Sequence, residues 1–331
     1  MAEYINIKGQ NIEVVSSDPS NPTIGQIWYN TTSQTLKGQS LTTAGTWASA
    51  TSMGTARYGM GSAGIQTAAV GFGGDVPPNS AATEEYDGST WTTTGNMGTG
   101  RYVSTGAGTQ TAALAFGGYA FNSATEEYDG STWTAGGAMG TASSRRGGAG
   151  TQTSALAFGG LVPNGPSSFA TAVTEEYDGT SWSPSNNLNT SRQSFAGCGT
   201  QTSALGFGGY QPTPPAIYAN TEEYNGSTWT NNPTGLNTAR FALSGCGTQT
   251  LALAFGGSNT SFVPVGATEL YDGSTWTSNP NSMGTARRVA GGAGTQTAAL
   301  IFGGAPPASG TTATEEYTGG PATVTVTITG T

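Results

Sequence analysis

Six near-copies of one stretch of sequence run through this chain, and they restrict its fold more than any local propensity does. The copies share an arginine, displaced in the third, then a Gly-Thr-Gln-Thr turn seven residues later (Gly-Ile-Gln-Thr in the first), a short apolar run and a Gly-Gly pair. A variable stretch follows, and then Thr-Glu-Glu-Tyr-Asp-Gly-Ser-Thr-Trp. The pairs Gly73-Gly74, Gly117-Gly118, Gly159-Gly160, Gly208-Gly209, Gly256-Gly257 and Gly303-Gly304 mark the copies. From Trp to Trp the period is 42 to 49 residues, a length typical of solenoids and propellers. Positions the copies share point to scaffold; positions where they differ are where function can sit.

The second copy shows what one repeat does. Gly108-Thr109-Gln110-Thr111 is rich in small and polar turn residues. In Ala112-Ala113-Leu114-Ala115-Phe116 the large side chains alternate with alanines, a period of two that predicts a strand. Thr125-Glu126-Glu127-Tyr128 predicts a third strand, and Asp129-Gly130 is a strong hairpin signal leading into a fourth at Trp133. Four short antiparallel strands per copy, with no helical periodicity, predict an all-β propeller. Phe and Trp from each copy would fill the space between blades.

These residues resemble the kelch family: Gly-Gly ending the second strand, a Tyr about a dozen residues on, and a Trp five residues after it. The resemblance covers residues 41 to 320 and implies a six-bladed kelch-like β-propeller. It implies no single activity, since kelch propellers include enzymes, adaptors and adhesins. Trp47 precedes the first full set, and Glu315-Glu316-Tyr317 has no Trp after it. The strand around Trp47 is therefore expected to complete the last blade and remove an exposed edge. The alternating tail Thr323 to Thr329 competes for that place; otherwise it forms a fifth, outer strand or an assembly contact.

Composition excludes several functions. Net charge is −9 with no basic cluster, so nucleic acid is not an expected partner. The chain has no histidine, which removes the usual general base and the commonest transition-metal ligand. Kelch-like copper oxidases use histidine ligands, so no metal and no cofactor is expected. No apolar run approaches the ~20 residues of a membrane span, and no signal peptide is evident. Cys198 and Cys246 share one repeat position and are expected as small buried residues without a disulfide.

The charged residues repeat. Arg57, Arg101, Arg192, Arg240 and Arg287 sit seven residues before the turn glycine. The third copy has Ser143 there, with Arg145 two residues on and expected on the same strand face. The first glutamate never varies: Glu84, Glu126, Glu175, Glu222, Glu269 and Glu315. These could form an anion-binding ring or a buried pair tying each blade together; their repetition favours the pair. The second glutamate becomes Leu270 in the fifth copy and is expected to matter less. Gln66, Gln110, Gln152, Gln201, Gln249 and Gln296 are expected to satisfy backbone groups at the tight turns rather than ring a ligand. The Asp-Gly pairs are expected as hairpin turns, not calcium ligands.

Between Gly-Gly and Thr-Glu the six loops hold 8, 6, 13, 11, 10 and 9 residues and share no sequence. Alternating strands put these loops and the fourth-to-first connections on one face, opposite the constant turns. Varied loops on a rigid scaffold are a usual place for recognition. Tyr119, Phe121, Phe169, Tyr210, Tyr218 and Phe262 are the candidate binding residues, suited to stacking on sugars or anchoring a protein.

Residues 1–40 lie outside the repeat, with the propeller expected over 41–331. Ile5 to Val15 suggests a hairpin turning at Gly9, and Gly25 to Gly38 a second. The pattern Gly-Gln-Ile27-Trp28-Tyr29-Asn-Thr-Thr-x3-Leu-Lys resembles segments of bacteriophage tail fibres and related virion proteins. That resemblance implies an N-terminal β-hairpin attachment segment carrying Ile27, Trp28 and Tyr29, docking to other virion proteins. It implies a homo-oligomer on a virion, meeting a host-surface glycan or protein through the variable loops, with no membrane insertion and no catalysis. A capsid or tail decoration protein is the structural alternative; a polysaccharide-degrading enzyme using paired carboxylates is a third.

Overall fold

The computed structural model describes residues 12–19, 26–42, 44–76, 79–164, 167–306, 309–320 and 322–327. The fold is all-β, with no helix among the described residues. It divides into two compact units, residues 46–318 and residues 1–45 with 319–331.

The larger unit contains six four-stranded antiparallel sheets among its described residues, an arrangement compatible with a β-propeller. The first sheet comprises Gly61–Ile65, Ala68–Phe72, Thr83–Tyr86 and Trp91–Thr94. The second comprises Thr105–Thr109, Ala112–Phe116, Thr125–Tyr128 and Trp133–Gly136. The third, fourth and fifth repeat this plan, starting from Gly147–Thr151, Ala196–Thr200 and Ser244–Gly247. In the sixth, Gly291–Gly294, Ala298–Phe302 and Thr314–Thr318 are completed by Thr46–Ala50, with Trp47 opposite Tyr317. Two ribbons stand apart: Leu161–Asn164 with Ser167–Ala170, and Tyr210–Pro212 with Pro215–Ile217.

The alternation in the second strand of each sheet explains how sheets meet. Leu114 and Phe116 of the second sheet pack on Ala155, Ala157 and Tyr177 of the third. Ala113 and Ala115, on the other face, receive Val70 and Phe72 of the first sheet. A large-residue face thus meets a face of small residues at most junctions, with Ile301 the bulky exception between the fifth and sixth sheets, and small facing residues let the sheets approach closely. The pattern closes on itself, because Leu300 and Phe302 of the sixth sheet pack on Ala69 and Tyr86 of the first. Each junction also pairs a Phe with the next sheet's Trp, as in Phe72–Trp133 at 4.8 Å and Phe302–Trp91 at 4.7 Å between centroids. Burying one such ring contributes roughly 4–6 kcal/mol at most, before ordering costs.

Polar side chains bond the same junctions. Each Trp Nε1 donates to the threonine hydroxyl of the preceding sheet, from Trp91 to Thr314 and Trp133 to Thr83 round to Trp47 to Thr268. Each repeat glutamine donates through Nε2 to two carbonyls of the preceding sheet; Gln110 reaches Ala69 O at 3.2 Å and Tyr86 O at 2.7 Å. The glutamines do satisfy backbone groups, in the neighbouring sheet rather than in their own turns. The second glutamate matters more than expected, because it accepts the next sheet's tyrosine hydroxyl. Tyr128 donates to Glu85 at 2.9 Å, and Tyr86 to Glu316 at 2.7 Å. Where Leu270 replaces that glutamate, Asn279 Nδ2 donates to the Tyr317 hydroxyl at 2.8 Å.

The smaller unit is a sheet of Glu13–Val15, Ile27–Asn30, Thr35–Thr42 and Ala322–Thr327. The expected hairpin at Gly25 to Gly38 is present, with Ile27 opposite Gly38 and Asn30 opposite Thr35. The proposed turn at Gly9 lies outside the described residues. Val15 ends a strand that pairs parallel to Ile27–Asn30. The tail forms no fifth strand of the repeat sheets: Thr323, Thr325 and Thr327 pair with Leu41, Gln39 and Lys37. An alternating strand pairs with whichever free edge is within reach, and the hairpin supplies one.

Candidate functional site

The six buried Arg–Glu pairs belong to the scaffold. Arg192 Nη2 meets Glu222 at 3.1 Å with both side chains fully buried. Arg57–Glu84, Arg101–Glu126, Arg240–Glu269 and Arg287–Glu315 repeat the contact. The second carboxylate oxygen accepts a backbone N–H from the chain entering the sheet, such as Gly54 onto Glu84 at 2.6 Å. Arg192 Nη1 also donates to the carbonyls of Gly208 and Asn220. Burial pulls Arg192 down to about 10 even with Glu222 beside it, so it stays charged at neutral pH.

The third copy departs from expectation. Arg146, not Arg145, reaches Glu175 at 3.1 Å, and its Nε donates to the Ser143 hydroxyl. The expected face-sharing of Ser143 and Arg145 assumed extended backbone. Arg145 instead has φ +57°, so the alternation breaks and the next residue fills the slot.

That left-handed residue recurs in every copy: Gly59 (+64°), Val103 (+50°), Arg145 (+57°), Ser194 (+53°), Ala242 (+54°) and Val289 (+52°). Their amides and carbonyls form one closed ring. Val103 N donates to Gly59 O at 2.5 Å, Arg145 N to Val103 O at 3.2 Å and Ser194 N to Arg145 O at 3.0 Å. Ala242 N then donates to Ser194 O at 2.6 Å, Val289 N to Ala242 O at 2.8 Å and Gly59 N to Val289 O at 2.7 Å. Five of these residues carry a Cβ, which costs about 1–2 kcal/mol each in this conformation.

Ring residues line two cavities. The inner, about 170 Å³, runs between the first strands past Ser62, Thr105, Gly148 and Ser244. The outer, about 250 Å³, is bordered by Tyr58, Tyr102, Arg145, Phe241, Arg288 and Pro306. The variable loops begin at this outer mouth. Residues following the scaffold arginine bridge to the first loop residue, as in Tyr58 to Asp75, Gln193 to Tyr210, Phe241 to Ser258 and Arg288 to Ala305. The Asp-Gly turns lie elsewhere, with Gly88 beside Thr67 of the constant turn.

The loop aromatics divide into two groups. Tyr119 is exposed and lies against Tyr102, with ring centroids 4.5 Å apart. Tyr210 and Phe262 come together around Phe241, at 5.4 Å and 5.2 Å from its ring. Among the described residues no ring contact joins Phe121, Phe169 or Tyr218 to these groups. Phe121 is half-buried at φ +56°, Phe169 is exposed on the third-repeat ribbon, and the Tyr218 hydroxyl donates to Gln211 at 3.2 Å. Sequence reasoning missed Tyr58, Tyr102, Phe241 and Arg288. The available signal was the residue after each scaffold position, which reads Tyr58, Tyr102, Ser144, Gln193, Phe241 and Arg288 and varies as the loops do.

Charge is sparse at this mouth. Of the ten lysines and arginines, six arginines are in the buried pairs, Lys37 pairs with Asp18, and Lys8 lies outside the described residues. Arg145 and Arg288 remain, with no acidic partner among the described residues. Asp75, at the same rim, accepts the Tyr58 hydroxyl, and that bond raises the tyrosine's pKa.

Away from the mouth, the aspartates of the Asp-Gly turns are engaged by their own turns. Asp87 Oδ1 accepts the amides of Ser89 and Thr90 at 2.8 and 2.7 Å, which holds its carboxyl down to about 2. Among the described residues no three His, Cys, Asp or Glu side chains converge as a metal site. In the smaller unit, Trp28 is fully buried and donates to Asp18 at 3.0 Å, while Ile27 and Tyr29 are half-buried. Trp28 therefore serves its own sheet rather than offering a docking contact. Comparison with protein-family models and with curated proteins finds no match.

Proposed function

We propose that this chain is a virion protein of tail-fibre or receptor-binding type, built on a six-bladed kelch-like β-propeller. One observation carries the reading. The repeated Arg, Glu, Gln, Tyr and Trp groups are consumed within and between sheets, while the varied aromatics and unpaired arginines gather at the outer mouth. A scaffold whose repeated groups are engaged internally leaves recognition to the diversified face. The action is non-covalent binding of a host-surface glycan or protein, with weak sites multiplied by copy number on one particle. The N-terminal hairpin, similar to phage segments, supplies the attachment to other virion proteins through groups other than Trp28.

The test is competition. Purified protein should block adsorption of the particle that carries it, and loop substitutions should abolish the block. Adsorption unchanged at saturating protein would count against the reading. A decoration role is the second reading, favoured by apolar Ile65 and Leu251, both 52% exposed at the constant turns. Imaging of the particle with the loop face covered by other virion proteins would establish that role instead.

A further inference from the structure

We infer that the outer mouth is a binding site for an acidic saccharide, with Arg145 and Arg288 holding its carboxylate. The inference rests on the recognition reading above and names the ligand class for it.

The chain carries two Arg-Arg dipeptides. In Arg145-Arg146 and Arg287-Arg288, one arginine of each is buried against Glu175 or Glu315, and the other borders the same outer cavity. Arg145 is exposed and Arg288 half-buried, so both guanidiniums are accessible. No carboxylate pairs with either among the described residues, in a chain of net charge −9. The acid at this rim, Asp75, is bonded to Tyr58 and does not cancel both cations.

Position matters as much as charge. Arg145 occupies a left-handed ring position whose amide and carbonyl are both used, to Val103 and from Ser194. The ring fixes its backbone without engaging its guanidinium. A β-carbon retained there at a conformational cost is the kind of local strain that gathers at ligand sites.

The remaining border selects the ligand. Tyr58, Tyr102 and Phe241 offer flat apolar faces of the kind on which a sugar ring stacks, and the two tyrosine oxygens can accept from its hydroxyls. A planar carboxylate matches the guanidinium fork. A cavity of about 250 Å³ suits one sugar residue at a chain end better than a protein loop.

The test uses the full chain, an oligosaccharide of glucuronic acid residues, and its carboxyl-reduced counterpart. Calorimetry should show binding of the acidic probe and at least about tenfold weaker binding of the reduced one. Arg145→Gln and Arg288→Gln should each weaken the acidic probe by about tenfold and leave the reduced probe unchanged. Neither residue belongs to a scaffold pair, so thermal melts should match the parent protein. Equal binding of both probes, or acidic binding indifferent to both substitutions, would overturn the inference while recognition stands. No binding of either probe would overturn it as well. Cell adsorption by the same protein then shows separately whether recognition survives.

Discussion

The amide of Gly59 donates to the carbonyl of Val289 at 2.7 Å, a bond that joins the first repeat to the last. A β-carbon on Gly59 would meet Val103 N and Cγ1 at 3.2 Å, in a backbone already at φ +64°. Gly59→Ala should therefore cost about 1–2 kcal/mol. Ala242 holds the equivalent position at φ +54°. Ala242→Gly should relieve its strain, offset by a more flexible unfolded chain, for a gain of up to about 1 kcal/mol. Urea denaturation of both variants checks the order; Gly59→Ala as stable as Ala242→Gly would mean the ring stores no strain.

Removing a buried partner should be far more damaging than altering a loop. Glu222 leaves Arg192 buried and uncompensated when it is lost, so Glu222→Ala should cost about 3–5 kcal/mol. Glu222→Gln keeps an acceptor for the Asn189 amide, now at 2.7 Å, and should cost less than the alanine. Equal losses in the two variants would place the cost in the unpaired cation rather than in the lost acceptor and the cavity.

How much of this could be read in the sequence depended on repetition. Trp47 announced its place in the sixth sheet because five other copies showed what followed Glu-Tyr. Arg57 and Glu84 announced their pairing because the glutamate never strays from its position and the arginine does so in one copy alone. Arg146 did not, since a single left-handed residue at Arg145 reverses the face that strand alternation assigns. Phe241 and Arg288 are not legible as rim residues, because nothing in the repeat pattern marks the residue after the scaffold arginine as the border of a cavity. The tail's partner was illegible for a different reason: a strictly alternating strand carries no information about which edge it joins.

Exposure separates two phenylalanines of one repeat. Phe255 is fully buried against the sixth sheet, whereas Phe262 is 53% exposed beside Tyr210 and Phe241. Phe255→Ala should cost about 3–5 kcal/mol. Phe262→Ala should stay within about 0.5 kcal/mol while lowering adsorption to host cells. Melting curves and adsorption counts on the same preparations measure both. Wild-type adsorption by Phe262→Ala would remove this loop from the recognition surface.

The Asp-Gly turns predict an acid response. The Asp87 carboxyl is held down to about 2 by the amides of Thr90 and Ser89, below the ordinary carboxylate value. A lowered folded pKa means the turn's stabilisation is present above about pH 4 and lost as pH falls through about 2. Asn225 makes the same amide contacts without a titrating group. Asp87→Asn should therefore be less stable than the parent at pH 7, and the difference should vanish near pH 2. A gap independent of pH would show that the turn does not depend on the ionised carboxylate.

Both cysteines report on whether the junctions open. Cys198 lies in the core between the fourth and fifth sheets, and Cys246 in the core between the fifth and sixth. Burial pushes the Cys198 thiol up to about 12 and raises that of Cys246 as well. The thiolate is the nucleophile, so at pH 8 both should resist an aromatic disulfide reagent in the native protein. In denaturant both should label, with a midpoint matching the loss of tryptophan fluorescence, because Trp276 and Trp47 pack in the same two cores. Labelling that precedes the fluorescence change would mean these junctions separate before the sheets unfold, and the array would then open locally rather than as a unit.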